Sequence, residues 1–341
     1  MVAEHTITDL SHRLGEPAWL LAHRLDSFQK VHQLPPTTFK YGQKILFEIH
    51  LPDFATLEQP LAQHTPSFTA PPEVHILSLH EATQTHEELL KQFFGASGTF
   101  DASTRLAAFH EALCPSGLLI HIPSGIQVQQ PIVLDFHGHD EIYFDQVFVL
   151  AEEGSAVTIV DLNTSRASFR SHHVRLIVGD YARVTYQSLH APQDGQSFLR
   201  RHARVGAQGS LVWVNALFGG TFSQSLTTTD LIGDGAPATY TGLLVGKNHE
   251  QFDIHTKMNH CAPRTQSEIV SRLVLDDHAK AIHRGMIAIQ PTMNHCQGHQ
   301  REDILLLSET AEVDPLPFLE IAHHDVRCNH ATTITHVDDE K

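Results

Sequence analysis

From Ser116 onward the sequence offers one short apolar segment after another, and sustained helical stripes almost vanish. LLIHI, IVLDF, YFDQVFVLA, AVTIVDL, HVRLIVG, ARVTYQSL and SLVWVNALF follow in close succession, each bounded by turn residues. The turns share one plan: an apolar residue, a Gly/Asp/Glu turn, a small residue, then the next strand. It occurs at 150–157, 178–184, 205–211 and 232–239, placing Ala156, Ala182, Ser210 and Ala238 at spacings of 26, 28 and 28. A similar turn at 275–282 comes 43 residues later, so the period is not clean there. A fixed period of this size, built from strands, is the mark of a solenoid, because one coil cannot bury its apolar face alone. A sandwich or jelly roll does not need the same turn to recur. The pattern therefore predicts a mainly β chain, a stacked β-helix over 116–341, with the acidic and small turn residues serving as structural corner chemistry.

Residues 1–115 read differently, as a smaller mixed and partly helical region. Pro17 to Phe28 carries apolar residues at helical spacing behind a proline suited to a helix start, and Pro35-Pro36 closes it. Ile45 to Leu51 suits a strand, the proline-rich 59–74 a loop, and Glu81–Phe94 and Ser103–Leu113 two helices. In the second of these, Leu106, Phe109 and Leu113 form one stripe, which is most simply core packing.

Charge and cysteine content narrow the partners. The formal net charge of -16 gives no basic face for nucleic acid or an anionic membrane surface. No apolar run approaches a spanning helix, the first residues contain no signal-peptide core, and four cysteines without paired spacing make no disulfide framework. A cytoplasmic protein is expected. The 28 histidines are spread along the whole chain, which favours solvent-facing strand positions over one metal cluster. His295-Cys296 with His299, and His260-Cys261, supply metal-ligand residue types, but nothing in the sequence makes them converge, and Cys296 reads as incidental. Cys114, before Pro115 at a helix end, reads as structural. No GxxxxGK[ST] phosphate loop and no GxSxG elbow are present.

The last forty residues hold the candidate site. The apolar Ile304–Ser308 reads as a buried strand, Phe318–Ala322 as another, and Asp325–His330 as a third segment. On a strand Cys328 and His330 share a face, about 7 Å apart. A thiol and an imidazole so placed could hold a soft metal or sulfur species. The plainer alternative is a half-buried cysteine beside a solvated histidine.

Four ordered motifs resemble the SufB/SufD family, the scaffold subunits of the SUF iron–sulfur cluster assembly machinery. They are GEPAWLLAHRLDSF (15–28), AFHEALCPSGLLIHIPSGIQVQQPIVL (108–134), HCAPRTQSEIVSRLVLDDHAKAIHRGMIAIQP (260–291) and LLLSETAEVDPLPFLEIAHHDVRCNHATTITHVDDE (305–340). The LEI…DV.C.H form leans towards the SufD type. The resemblance implies a right-handed parallel β-helix flanked by helical segments. It implies a non-catalytic scaffold working with a SufB-type paralogue and a SufC-type ABC ATPase that hydrolyses the ATP. It places Cys328 and His330 at the family's Cys-x-His positions near the subunit interface, as ligands for transient iron or a nascent cluster, with no tightly bound cofactor. A homodimer is a further possibility in isolation. Two departures stand out. Ala331-Thr332-Thr333 follows the histidine where the family usually reads Gly-Ala-Thr. The sequence given also stops at Lys341, where the family continues into a helical segment that docks the ATPase, so that docking is in doubt. The alternative functions are a carbohydrate-active β-helix enzyme, disfavoured by acids that fall mainly at turns, and a degenerate paralogue that only caps a partner β-helix by strand addition.

Overall fold

Hydrogen-bonded pairing sorts the strands into two nine-stranded sheets. The computed structural model describes residues 3–35, 45, 47, 49, 51–52, 61, 63, 65–94, 104–136, 142–164 and 166–337. One sheet holds, in hydrogen-bonded order, β1 (Ser67–Thr69), β4 (Ile132–Phe136), β6 (Ala156–Asn163), β8 (Arg183–His190), β10 (Ser210–Phe218), β12 (Pro237–Gly246), β14 (Gln266–Leu275), β16 (Gln297–Leu306) and β18 (Arg327–His336). The other runs from β2 (His75–Ser78) through β3 (Gly117–Ile122), β5 (Ile142–Ala151), β7 (Phe169–Val178), β9 (Gln196–Val205), β11 (Phe222–Leu231), β13 (Gln251–His260) and β15 (Lys280–Ile289) to β17 (Glu312–Ile321). Successive strands thus switch sheets, and each pairs in parallel with the strand two places on. Among the described residues the antiparallel pairs are β1 with β4 and β2 with β3, at the N-terminal end. This is a β-solenoid of about seven turns, each coil contributing one strand to each sheet, as the periodicity predicts.

The register corrects the reading of the corners. Ser155, Ala182, Gly209 and Ala236 lie 27 residues apart, each buried, each with its backbone N–H on the carbonyl three residues back, at 3.1–3.2 Å. Thr265 and Cys296 continue the same file, both fully buried. Ala156 and Ser210 sit one residue past this file and Ala238 two past it, which is why the apparent spacings scatter. The 275–282 turn belongs to the opposite corner, leading from β14 to β15 rather than from an odd strand to an even one. Its 43-residue offset is therefore about one and a half coils. Corner carboxylates tie coil to coil: Asp180 accepts from Ala207 N at 2.7 Å, Glu152 from Ser124 N at 3.0 Å and Asp277 from Asn248 N at 3.0 Å. Their role as turn chemistry is borne out.

Helices α1 (Glu4–Leu14), α2 (Ala18–Gln33), α3 (Leu79–Thr85), α4 (Glu87–Lys91) and α5 (Arg105–Leu113) precede the solenoid or flank its first coils. Residues 106–113 of α5 are all buried. Its apolar residues share a cluster with Phe144, Phe169 and Phe198 on the outer face of the second sheet and with Phe28 and Val31 of α2. The single helix expected over 81–94 is two, because His86 adopts φ -135° and ψ 35° and caps both α3 and α4. Ser78 starts α3 through a capping box with Glu81. The strand expected at 45–51 falls partly outside the described residues. Among those residues no helix is long and apolar enough to cross a membrane.

Candidate functional site

β18 is the last coil, so its inner face is not roofed by another strand among the described residues. Each even residue of β18 stacks on an inward residue of β16: Cys328 on Gly298, His330 on Gln300, Thr332 on Glu302 and Ile334 on Ile304. The shared face expected of Cys328 and His330 is thus the inner face of the solenoid at its open end. Cys328 is half-buried and His330 is exposed. Glycine at 298 makes room for the thiol: a Cβ there would lie 3.3 Å from Cys328 Sγ and 2.8 Å from an Ile287 methyl. Burial pushes the Cys328 thiol up from its ordinary value, so a metal or a raised pH is needed to draw out the thiolate.

Beneath this surface lies a buried carboxylate. Glu302 is fully buried and receives His283 Nδ1–H at 3.0 Å, Gln300 Nε2–H at 2.7 Å and Thr332 Oγ1–H at 3.3 Å. Burial alone would raise its pKa, but these donors hold it below the ordinary carboxylate value. Glu302 belongs to a largely polar column that runs from β6 to β18 in one sheet. In register from the first coils outward it is Asp161, Ser188, Asn215, Gly242, Ser271, Glu302 and Thr332. At its far end His172 bridges two carboxylates, Nδ1–H to Asp145 at 2.5 Å and Nε2–H to Asp161 at 3.0 Å. Arg170 donates to both oxygens of Asp145, at 3.1 and 3.0 Å, and Tyr186 OH to Asp161 at 2.9 Å. Two carboxylates, a guanidinium and an imidazolium balance in charge, which is what lets them stay buried.

The column was legible in principle. Asp145 is in phase with Val147 and Val149, and Arg170 and His172 with Val174 and Leu176, so period-2 phase alone points them inward.

The expectation that the histidines occupy solvent-facing positions is corrected for seven of them. His110, His121, His172, His173, His190, His260 and His283 are buried, each held by a polar partner. The adjacent His172 and His173 point to opposite faces of β7, the first into the solenoid and the second onto Glu111 of α5 at 3.1 Å. Cys296 packs in the corner file, 3.2 Å from Thr265 Oγ1, whereas His299 lies outside and bonds Asn329 at 2.6 Å and His295 pairs with Asp325 at 3.1 Å. These residues do not converge on one point. Cys114 caps α5, with its Sγ–H on Ser116 O at 3.2 Å, a structural role as read from the sequence.

A family model described as "SUF system FeS cluster assembly, SufBD core domain" matches residues 135–341, and "SufBD protein N-terminal region" matches 54–134. The chain is similar to the iron-sulfur cluster assembly protein SufD of Bacillus subtilis, 29% identical over 75% of this chain and 61% of that protein. It is also similar to iron-sulfur cluster assembly SufBD family proteins of Staphylococcus aureus and Staphylococcus saprophyticus, 23% identical over 100% of this chain and 83% of theirs.

Proposed function

The chain belongs to the SufBD family of SUF-system iron–sulfur cluster assembly proteins, and from that premise we propose that it acts as a SufD-like, non-catalytic scaffold. Iron or a nascent cluster is the cargo, and Cys328 and His330 are its ligands on this chain. The observation that carries the reading is the placement of both side chains on the inner face of the last coil. There a thiol and an imidazole stand at an accessible end of a β-solenoid instead of inside it. Mixed sulfur and nitrogen donors suit iron and iron–sulfur species.

The same end provides the docking surface for a SufB-type paralogue. β17 and β18 are each paired on one side only among the described residues, and an unpaired parallel edge is a template for strand addition. Phe318, Ile321, Ile334 and Val337 expose apolar area around it. A partner bound there would cover Cys328 and His330 and complete the ligand set from its own residues. ATP hydrolysis is assigned to a SufC-type partner, since this sequence carries no phosphate-binding loop of the P-loop form.

The test is co-expression with SufB-type and SufC-type partners, followed by cluster reconstitution on the purified assembly. A complex that yields clusters with the wild-type chain and fails with His330→Ala supports the reading. Normal cluster yield from His330→Ala and Cys328→Ser together would overturn it.

A further inference from the structure

At the other end of the solenoid, three histidines from three separate elements meet. His75 of β2 lies directly opposite His121 of β3 in the antiparallel pair, so their side chains share a face. His86 comes in from the break between α3 and α4. The ring centroids are 5.4 Å (His75–His121), 5.9 Å (His75–His86) and 6.2 Å (His86–His121) apart. One ring nitrogen of each lies within 4.8 Å of those of the other two. Tetrahedral coordination places ligand nitrogens about 3.3 Å apart for bonds of about 2.0–2.1 Å, so small side-chain rotations close the site.

The hydrogen bonds around the group prepare it for a cation. His121 Nε2 lies 3.0 Å from Glu152 Oε1 and must donate to it, which leaves Nδ1 with the lone pair. That Nδ1 is buried and has no hydrogen-bond partner, on a residue only 8% exposed. Glu152 is itself fixed, because its other oxygen accepts Ser124 N–H at 3.0 Å. Thr85 Oγ1 gives its proton to Glu81 O at 2.8 Å and so accepts from His86 Nδ1–H, also at 2.8 Å, leaving His86 Nε2 as the free donor atom. A carboxylate or hydroxyl that sets the tautomer of a ligating imidazole is the usual outer support of a metal-bound histidine.

We propose that His75, His86 and His121 form a binding site for a divalent first-row transition cation of the Zn²⁺ class, with Glu152 orienting His121. Three imidazoles with an open fourth position suit such an ion rather than Mg²⁺ or Ca²⁺, which take oxygen ligands. The site ties β2 and the α3–α4 junction to the first coil, so the ion would clamp the N-terminal region onto the solenoid. The other described histidine group, His110, Glu111 and His173, does not compete, because the Arg175 guanidinium already occupies the Glu111 carboxylate.

The test uses the full chain, stripped with chelator and titrated with Co²⁺ as a spectroscopic probe and then with Zn²⁺ in competition. Wild type should take up one equivalent with visible d–d bands, and His86→Ala should weaken that equivalent by about tenfold or more. His75→Gln, at an exposed strand position, should do the same and decides the matter should His86→Ala fail to fold. His249→Ala, in a stacked pair elsewhere, should leave the titration unchanged. The equivalent should also survive in a Cys328→Ser, His330→Ala chain, which separates this site from the assembly site. Equal uptake by wild type and His75→Gln, absence of a stoichiometric equivalent, or its loss in the Cys328/His330 variant would each overturn the proposal.

Discussion

Thr332 Oγ1, on the last coil, donates to Glu302 Oε2 on the coil beneath, 3.3 Å away. That contact joins the exposed face that carries Cys328 and His330 to the buried polar column, and it separates two kinds of substitution. Glu302→Ala strands His283 and Gln300 in the interior and should cost about 3–5 kcal/mol, as loss of one partner from a buried charged network does. Thr332→Val removes one long hydrogen bond at an accessible position and should cost no more than about 1 kcal/mol. Urea unfolding of the two variants checks the difference.

His172 predicts a pH dependence. Burial alone would lower its pKa, but Asp145 and Asp161 raise it above the ordinary 6.5. A raised folded-state pKa gives stability that is complete below about pH 6.5 and is lost as the pH climbs through the folded value. The stability difference between wild type and His172→Asn should therefore shrink on going from pH 6 to pH 9. Asp145 and Asp161 have lowered pKa values, so their contribution is present above about 3.8 and lost as the pH falls below it. Denaturation midpoints at a series of pH values test both limbs; a pH-independent difference would count against the charged network.

Arg24 anchors α2 to α5. It donates to both oxygens of Glu16, at 2.7 and 2.6 Å, and to the carbonyls of Ala112 and Cys114, at 3.1 and 2.8 Å. Arg24→Ala should destabilise the helical region by about 3–5 kcal/mol. Hydrogen exchange should show α2 and α5 opening while the central strands stay protected.

Close stacking of the coil corners predicts a large effect from one methyl group. A Cβ on Gly233 would sit 1.9 Å from Ala207 N, against backbone that cannot move aside without shifting a coil. Gly233→Ala should cost about 1–3 kcal/mol or more, read as a lower thermal midpoint.

At the open end, Ile334→Lys places a charge among the apolar residues of the last coil. Isolated stability should change by less than about 0.5 kcal/mol, because the position is already 45% exposed. Co-purification with a SufB-type partner should be lost. Retention of the complex would move the interface elsewhere.

Much of this protein was decided locally. Strand alternation and a recurring turn determined a β-solenoid, because inward phase and corner chemistry are properties of neighbouring residues. The i, i+2 spacing of Cys328 and His330 determined their common face. Tertiary structure decided that β18 is paired on one side only among the described residues, and so why its face is open while Gln300 and Glu302, on the matching positions below, are buried. It decided that Asp145, Asp161, Arg170 and His172 form one balanced group, since register across coils, and not spacing within one, brings them together. It also assembled His75, His86 and His121, which are distant in sequence and include a residue at a helix break that helical periodicity does not reveal. Sequence specifies direction and phase; only the stacking of coils converts them into neighbours.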